Sequence, residues 1–127
     1  MSNMQTPLKK ARGLGSAKSG TEHFWQQRVT ALANVPLLLF FVWFTVSHLG
    51  ASRGDMIASF KNPFITIFLL LTLASVFWHM RLGLQVVIED YVHAHSTKLV
   101  ALIFNTAIVA VLFSLAAFSI LKMSFAP

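Results

Sequence analysis

His79 sits in a segment where nearly every neighbour is apolar, and Asp90 and Tyr91 follow it eleven and twelve residues later. On an α-helix, eleven residues make about three full turns and rise about 16 Å, so His79, Gly83, Val86 and Asp90 form one stripe from membrane depth to the water boundary. A histidine sunk in lipid on the stripe of a carboxylate points to redox or proton chemistry.

The elements that must hold these residues follow from composition. The chain has 127 residues, of which 56% are hydrophobic, and only four acidic side chains. Too much of its surface is apolar for so short a chain to bury in a water-soluble core, so an all-α integral membrane protein is expected. Three segments reach the roughly 20 apolar residues that cross the hydrocarbon: about 29–49, 64–88 and 99–121. They are expected to form part of a larger, multi-subunit helix bundle. Residues 1–20 read as a basic leader and 21–127 as the three-helix membrane anchor. The stretch from Gly50 to Pro63, with Gly50, Gly54 and Asn62-Pro63 as helix breakers, reads as the first connection, and Glu89 to Lys98 as a polar second one. Ser19 and Glu22 have the spacing of a capping box, which predicts a helix starting near Gly20.

Lys9, Lys10, Arg12, Lys18 and Arg28 stand in or beside the leader against Glu22 alone, whereas the first connection has Arg53 and Lys61 and the tail Lys122. Basic residues concentrate on the cytoplasmic side, so the N-terminus is expected in the cytoplasm, the C-terminus in the periplasm of a bacterial-type inner membrane, and Asp90 and Tyr91 on the cytoplasmic face. Phe24 and Trp25 fall at headgroup level as an aromatic belt. Pro36, inside the first span beside Asn34, predicts a kink.

There is no cysteine, which excludes thiolate-held iron–sulfur clusters and disulfides. No glycine-rich nucleotide fingerprint, G-x-S-x-G or H-E-x-x-H is present, so the chain is not expected to catalyse anything unaided, and no nucleic-acid partner is expected.

His79 lies about nine residues from the end of its predicted span, about 14 Å deep. Two uses fit that position: a neutral imidazole hydrogen-bonded to a neighbouring helix, or an axial ligand of a haem. Ser75 and Gly83, one turn to either side on the same face, clear bulk from beside the ring, as a flat macrocycle requires and as plain helix packing also uses. Two histidines on one iron must lie at nearly the same depth, but His48 is at the far end of the first span. If His79 is one of a pair, its counterpart belongs to another polypeptide. His48 reads as an interfacial polar residue. Arg81 points nearly opposite His79, and its charge needs a partner surface, the headgroups or the faces of Trp78 and Phe77. Tyr91 fits either an interfacial belt or a donor to a quinone carbonyl, with Asp90 ordering water and relaying protons. His93 and His95 form H-x-H, which lacks a third metal ligand.

The run from His79 to Tyr91, H-M-R-L-G-L-Q-V-V-I-E-D-Y, together with Arg28-Val-Thr-Ala in the first helix, resembles the smaller hydrophobic membrane-anchor subunit, the D type, of succinate dehydrogenase, respiratory complex II. The resemblance covers essentially the whole chain from Ser19 onward. It implies that His79 is an axial ligand of haem b, with the second histidine in the larger cytochrome b anchor subunit. It implies that Tyr91 hydrogen-bonds ubiquinone, that Asp90 supports proton delivery, and that Arg28 lies near the haem propionates or the quinone pocket. Ser75 and Gly83 would pack the haem. Succinate oxidation would belong to the flavoprotein and iron–sulfur subunits, docked on this anchor. Arg81 stands where the resemblance leads one to expect an apolar or neutral residue. A fumarate reductase anchor is the nearest alternative, and a holin-like pore or an assembly factor the alternative of another class.

Overall fold

The computed structural model describes residues 6–13 and 21–126. Among them are five helices and no strand: α1 (Pro7–Ala11), α2 (Glu22–Ser47), α3 (Arg53–Phe60), α4 (Pro63–Tyr91) and α5 (His95–Ser124). α2, α4 and α5 are each long and apolar enough to cross a membrane. At 26, 29 and 30 residues they measure about 39 to 45 Å, longer than the roughly 30 Å of hydrocarbon. The helices therefore overrun the predicted spans at every end but one, α2 stopping at Ser47 just short of the expected 49, because a helix has no reason to unwind where lipid chains end and headgroups begin.

Three boundaries differ from the sequence reading. α2 starts at Glu22 after Thr21, whose side chain makes no capping hydrogen bond; Ser19 lies outside the described residues. The first connection is not continuous loop, because it holds α3. Ser52 caps that helix: its Oγ accepts from the Asp55 amide and its own amide donates to the Asp55 carboxylate, a reciprocal box that satisfies donors at a helix start. The second connection shrinks to Val92, His93 and Ala94, so Asp90 and Tyr91 belong to the last turn of α4 and His95 to the first of α5. Pro36 is accommodated within α2, which continues on both sides of it.

The carboxyl of Asp55 is held below its ordinary value of 3.8, first by the Ser52 hydroxyl and then by the Ser52 amide. A lowered value in the folded chain means that the support Asp55 gives α3 is complete above 3.8, declines below it, and is gone once pH has fallen through the lowered value. Hydrogen-exchange protection of the Ser52 amide, which donates to this carboxylate, is expected to be constant from pH 7 to 5 and to drop between pH 4 and 2. In Asp55→Asn that drop should be absent.

α4 is the middle helix. On one side it packs antiparallel on α2: the Thr72 hydroxyl approaches the Leu37 carbonyl at 3.5 Å, and the rings of Phe40 and Phe68 are 5.2 Å apart. On the other it packs on α5, where Asn105 Nδ2 donates to the Arg81 carbonyl at 3.0 Å and Phe77 meets Phe113 edge to face. Phe44, Phe60 and Leu69 form the apolar core at the α3 end, flanked by Ile120 and Met123 of α5. His48 closes α2 onto α3, with Nδ1 bonded to the Phe44 carbonyl at 2.8 Å and Nε2 to Ser59 Oγ at 2.7 Å. It thus bridges two helices.

Elsewhere the usual order of a soluble protein is inverted. Asn34, Thr66, Thr72 and Asn105 are buried, while leucines, valines and phenylalanines of all three long helices are exposed. That is the arrangement lipid requires, since small and polar residues hold helices together there and apolar ones face the solvent.

Candidate functional site

On α2, His23, Gln27, Thr30 and Asn34 are spaced four, three and four residues apart, one face of a helix. Thr30 Oγ1 lies 2.9 Å from His79 Nδ1 of α4. With Thr72 beside Leu37 this fixes the register of the two helices, and it places Asn34 level with Ser75.

The Thr30 hydroxyl has one hydrogen, and its shortest acceptor is the Gln26 carbonyl at 2.7 Å. With that hydrogen assigned to the Gln26 carbonyl, His79 Nδ1–H donates to the Thr30 oxygen, which leaves the lone pair of a neutral ring on Nε2. A hydrogen bond at one ring nitrogen that orients the ring and frees the other is the arrangement metal-ligating histidines use.

The same ring lines a cleft of about 560 Å³ with His23, Phe24, Gln27, Arg28, Ala31 and Val86. The Arg28 guanidinium stacks 4.6 Å over the Phe24 ring. His23 Nε2 and Gln27 Oε1 are buried without a hydrogen-bond partner, as are Asn34 Oδ1 and Ser75 Oγ further along the seam. Arg28 and the nearby start of α2, where the helix dipole is positive, make this end of the cleft suited to an anion.

The structure therefore brings His79 and Arg28 together, with Val86 of the expected stripe beside them. Gly83 is adjacent: a Cβ there would stand 3.7 Å from the Gln27 side chain, an ordinary van der Waals contact, so the packing of α2 does not itself demand glycine. Asp90 and Tyr91 do not line this cleft. Both are exposed, Tyr91 to 77%, at the end of α4 about 18 Å along the helix from His79. His93 and His95 are exposed too, and among the described residues no three His, Cys, Asp or Glu side chains could hold a metal ion.

His48 lies eighteen residues beyond Thr30 on the same helix, about 27 Å from the level of His79. His23 lies seven residues the other way, about 10 Å off. Neither stands level with the His79 ring, as a second ligand on one iron must. Thr30, Gln27 and His23 were the residues sequence reasoning did not single out. Their signal was the polar spacing on α2, with Thr30 inside the R-V-T-A string.

The donor set fits a haem. It offers one imidazole nitrogen at membrane depth, an adjoining cleft with unpartnered buried polar atoms, and a guanidinium beside it for carboxylates.

The model of the succinate dehydrogenase/fumarate reductase transmembrane subunit family matches residues 2–116. The succinate dehydrogenase hydrophobic membrane anchor subunit of Rickettsia bellii is 36% identical over 114 residues, 89% of this chain and 86% of the relative. The membrane anchor subunit of Reclinomonas americana is 33% identical over 97 residues, 74% of this chain and 80% of the relative. That of Paracoccus denitrificans is 32% identical over 108 residues, 83% and 84% of the two. No solved structure matches significantly. With three spanning helices and a match along nearly its full length, the chain belongs to the transmembrane-subunit family of succinate dehydrogenase and fumarate reductase.

Proposed function

We propose that the chain anchors a succinate:ubiquinone oxidoreductase in the membrane, gives haem b one axial ligand through His79 Nε2, and supplies Tyr91 and Asp90 to ubiquinone reduction. The observation that carries the haem reading is the Thr30 contact, which leaves Nε2 as the free nitrogen. Bound there, haem b supplies a one-electron reservoir. The residues of this chain do the rest. Thr30 holds the ring in one tautomer, Ser75 and Gly83 keep its flanking turns free of bulk, and Arg28 with His23 faces the carboxylates. A second histidine ligand would have to come from another polypeptide, since neither His23 nor His48 stands at the level of His79, and the resemblance points to the larger cytochrome b subunit.

With the N-terminus in the cytoplasm, the exposed end of α4 faces that side, where the iron–sulfur and flavoprotein subunits dock. Tyr91 Oη donates to a quinone carbonyl, and Asp90 orders the water that delivers protons. Quinone reduction is favoured over the fumarate reductase direction because the relatives compared are named as succinate dehydrogenase subunits.

A reduced-minus-oxidised visible spectrum of the solubilised complex tests the reading. B-type bands in proportion to this subunit are expected, and their absence at full occupancy removes the haem. Thr30→Val keeps the shape but removes the acceptor of Nδ1–H. Loss of such an outer partner commonly weakens a metal site by about 10- to 100-fold, so faster haem loss on dilution is expected in Thr30→Val and near-normal retention in Thr30→Ser.

A further inference from the structure

α4 and α5 enclose a second groove, on the face of α4 away from His79. It is lined by Ala74, Phe77, Trp78 and Arg81 from α4 and by Thr106, Val109, Ala110 and Phe113 from α5, with a volume of about 500 Å³. Asn105, only 5% exposed, clamps the two helices together through the Arg81 carbonyl, so the groove is preformed. Everything in it is apolar except the Thr106 hydroxyl and one full charge.

That charge sits in a costly place. Arg81 is four residues past the midpoint of α4, and its guanidinium lies 5.1 Å over the Trp78 ring, one turn toward the helix N-terminus. The side chain thus follows the normal lean of helical side chains and runs toward the middle of the span, not outward to the Tyr91 end. Its one hydrogen bond to a side chain is a long contact of 3.4 Å to Thr106. A guanidinium has five donors, and burying one uncompensated in lipid is expensive.

The chain cannot supply the counter-charge. Its four acids are Glu22, Asp55, Glu89 and Asp90. Glu89 and Asp90 stand eight and nine residues beyond Arg81, more than about 12 Å along the axis, and Glu89 already accepts from Gln85. Asp55 is bound to Ser52 in α3, and Glu22 is in the first turn of α2. A second copy of this chain has the same four acids at the same levels, so it brings no carboxylate to this depth. A phospholipid keeps its phosphate at the headgroup level, away from a guanidinium that leans inward.

We infer that the α4–α5 groove receives a transmembrane helix of a different polypeptide, which carries an Asp or Glu level with Arg81. Ala74 and Ala110 let that helix approach closely, Phe113 and Phe77 pack its apolar ridge, and Arg81 pairs with its carboxylate. The inference rests on the membrane-spanning fold and the charge, and does not use the haem or the quinone.

The test is photo-crosslinking in intact native membranes, with p-benzoylphenylalanine replacing Phe113 inside the groove or, as a control, the exposed Phe118. The expected result is an adduct at 113, not at 118, with one other membrane polypeptide, mapped to an apolar segment that contains Asp or Glu. Its yield should fall at least tenfold with Arg81→Leu, hold with Arg81→Lys, and return when Arg81→Glu is combined with a basic residue at the partner's acid. Adducts with lipid only, with a second copy of this chain, or with a segment lacking an acid overturn the inference. So does a yield that Arg81→Leu leaves unchanged while the chain inserts normally.

Discussion

His79→Leu should reduce the b-type absorbance of the purified complex to background while the chain still inserts in the membrane. Leucine offers no lone pair, and the geometry leaves no replacement within reach: His23 and His48 lie about 10 and 27 Å away along α2. The substitution should not unfold the chain. Thr30 keeps its hydrogen bond to the Gln26 carbonyl when the imidazole is gone, so no buried hydroxyl is orphaned. The measurement is haem per subunit from the reduced-minus-oxidised spectrum, alongside the amount of chain recovered. Full haem with normal recovery would show that His79 is only a helix-packing residue bonded to Thr30.

Tyr91→Phe should slow quinone reduction by about 10²-fold, the usual loss for one donor aimed at an oxygen that gains negative charge. Succinate oxidation by an artificial acceptor should be unchanged. The two readouts separate because the substitution removes only an oxygen from a ring that is 77% exposed and makes no hydrogen bond among the described residues. Nothing in the fold depends on that hydroxyl. Equal loss of both activities would mean that Tyr91 holds the assembly together and does not touch the quinone.

The three spans were legible because lipid imposes a single requirement, length of apolar run, and the sequence states it directly. Helix ends were less legible, since hydropathy reports where hydrocarbon stops, whereas backbone hydrogen bonds carry α4 on through Asp90 and Tyr91. α3 was hidden by Gly50, Gly54 and Asn62-Pro63. Gly50, with φ +77°, and Asn62-Pro63 bracket a short helix, and Gly54 is tolerated in its first turn. Its Ser52–Asp55 spacing is a start signal of the same kind as Ser19–Glu22, and the Ser52 box forms.

At the site, His79 was evident because one imidazole in an apolar run has few uses. Thr30 was not. Its meaning depends on the register of α2 against α4, which is a tertiary fact with no trace in either helix alone. Asp90 and Tyr91 share α4 with His79, but this chain by itself does not gather them around the same cleft. For Arg81 the sequence leaves open a partner surface, the headgroups or the faces of Trp78 and Phe77, and the structure gives it Trp78 and a weak contact to Thr106.

The polar seam between α2 and α4 also bears on how the amount of this protein is set in a cell. His23, Gln27, Asn34 and Ser75 each keep a buried atom with unused hydrogen-bonding capacity, so a copy without its companions is a poorly satisfied object in a bilayer. Such a copy opens more readily, and membrane proteases degrade what opens. Copies made in excess of their companions are therefore expected to turn over faster than assembled ones.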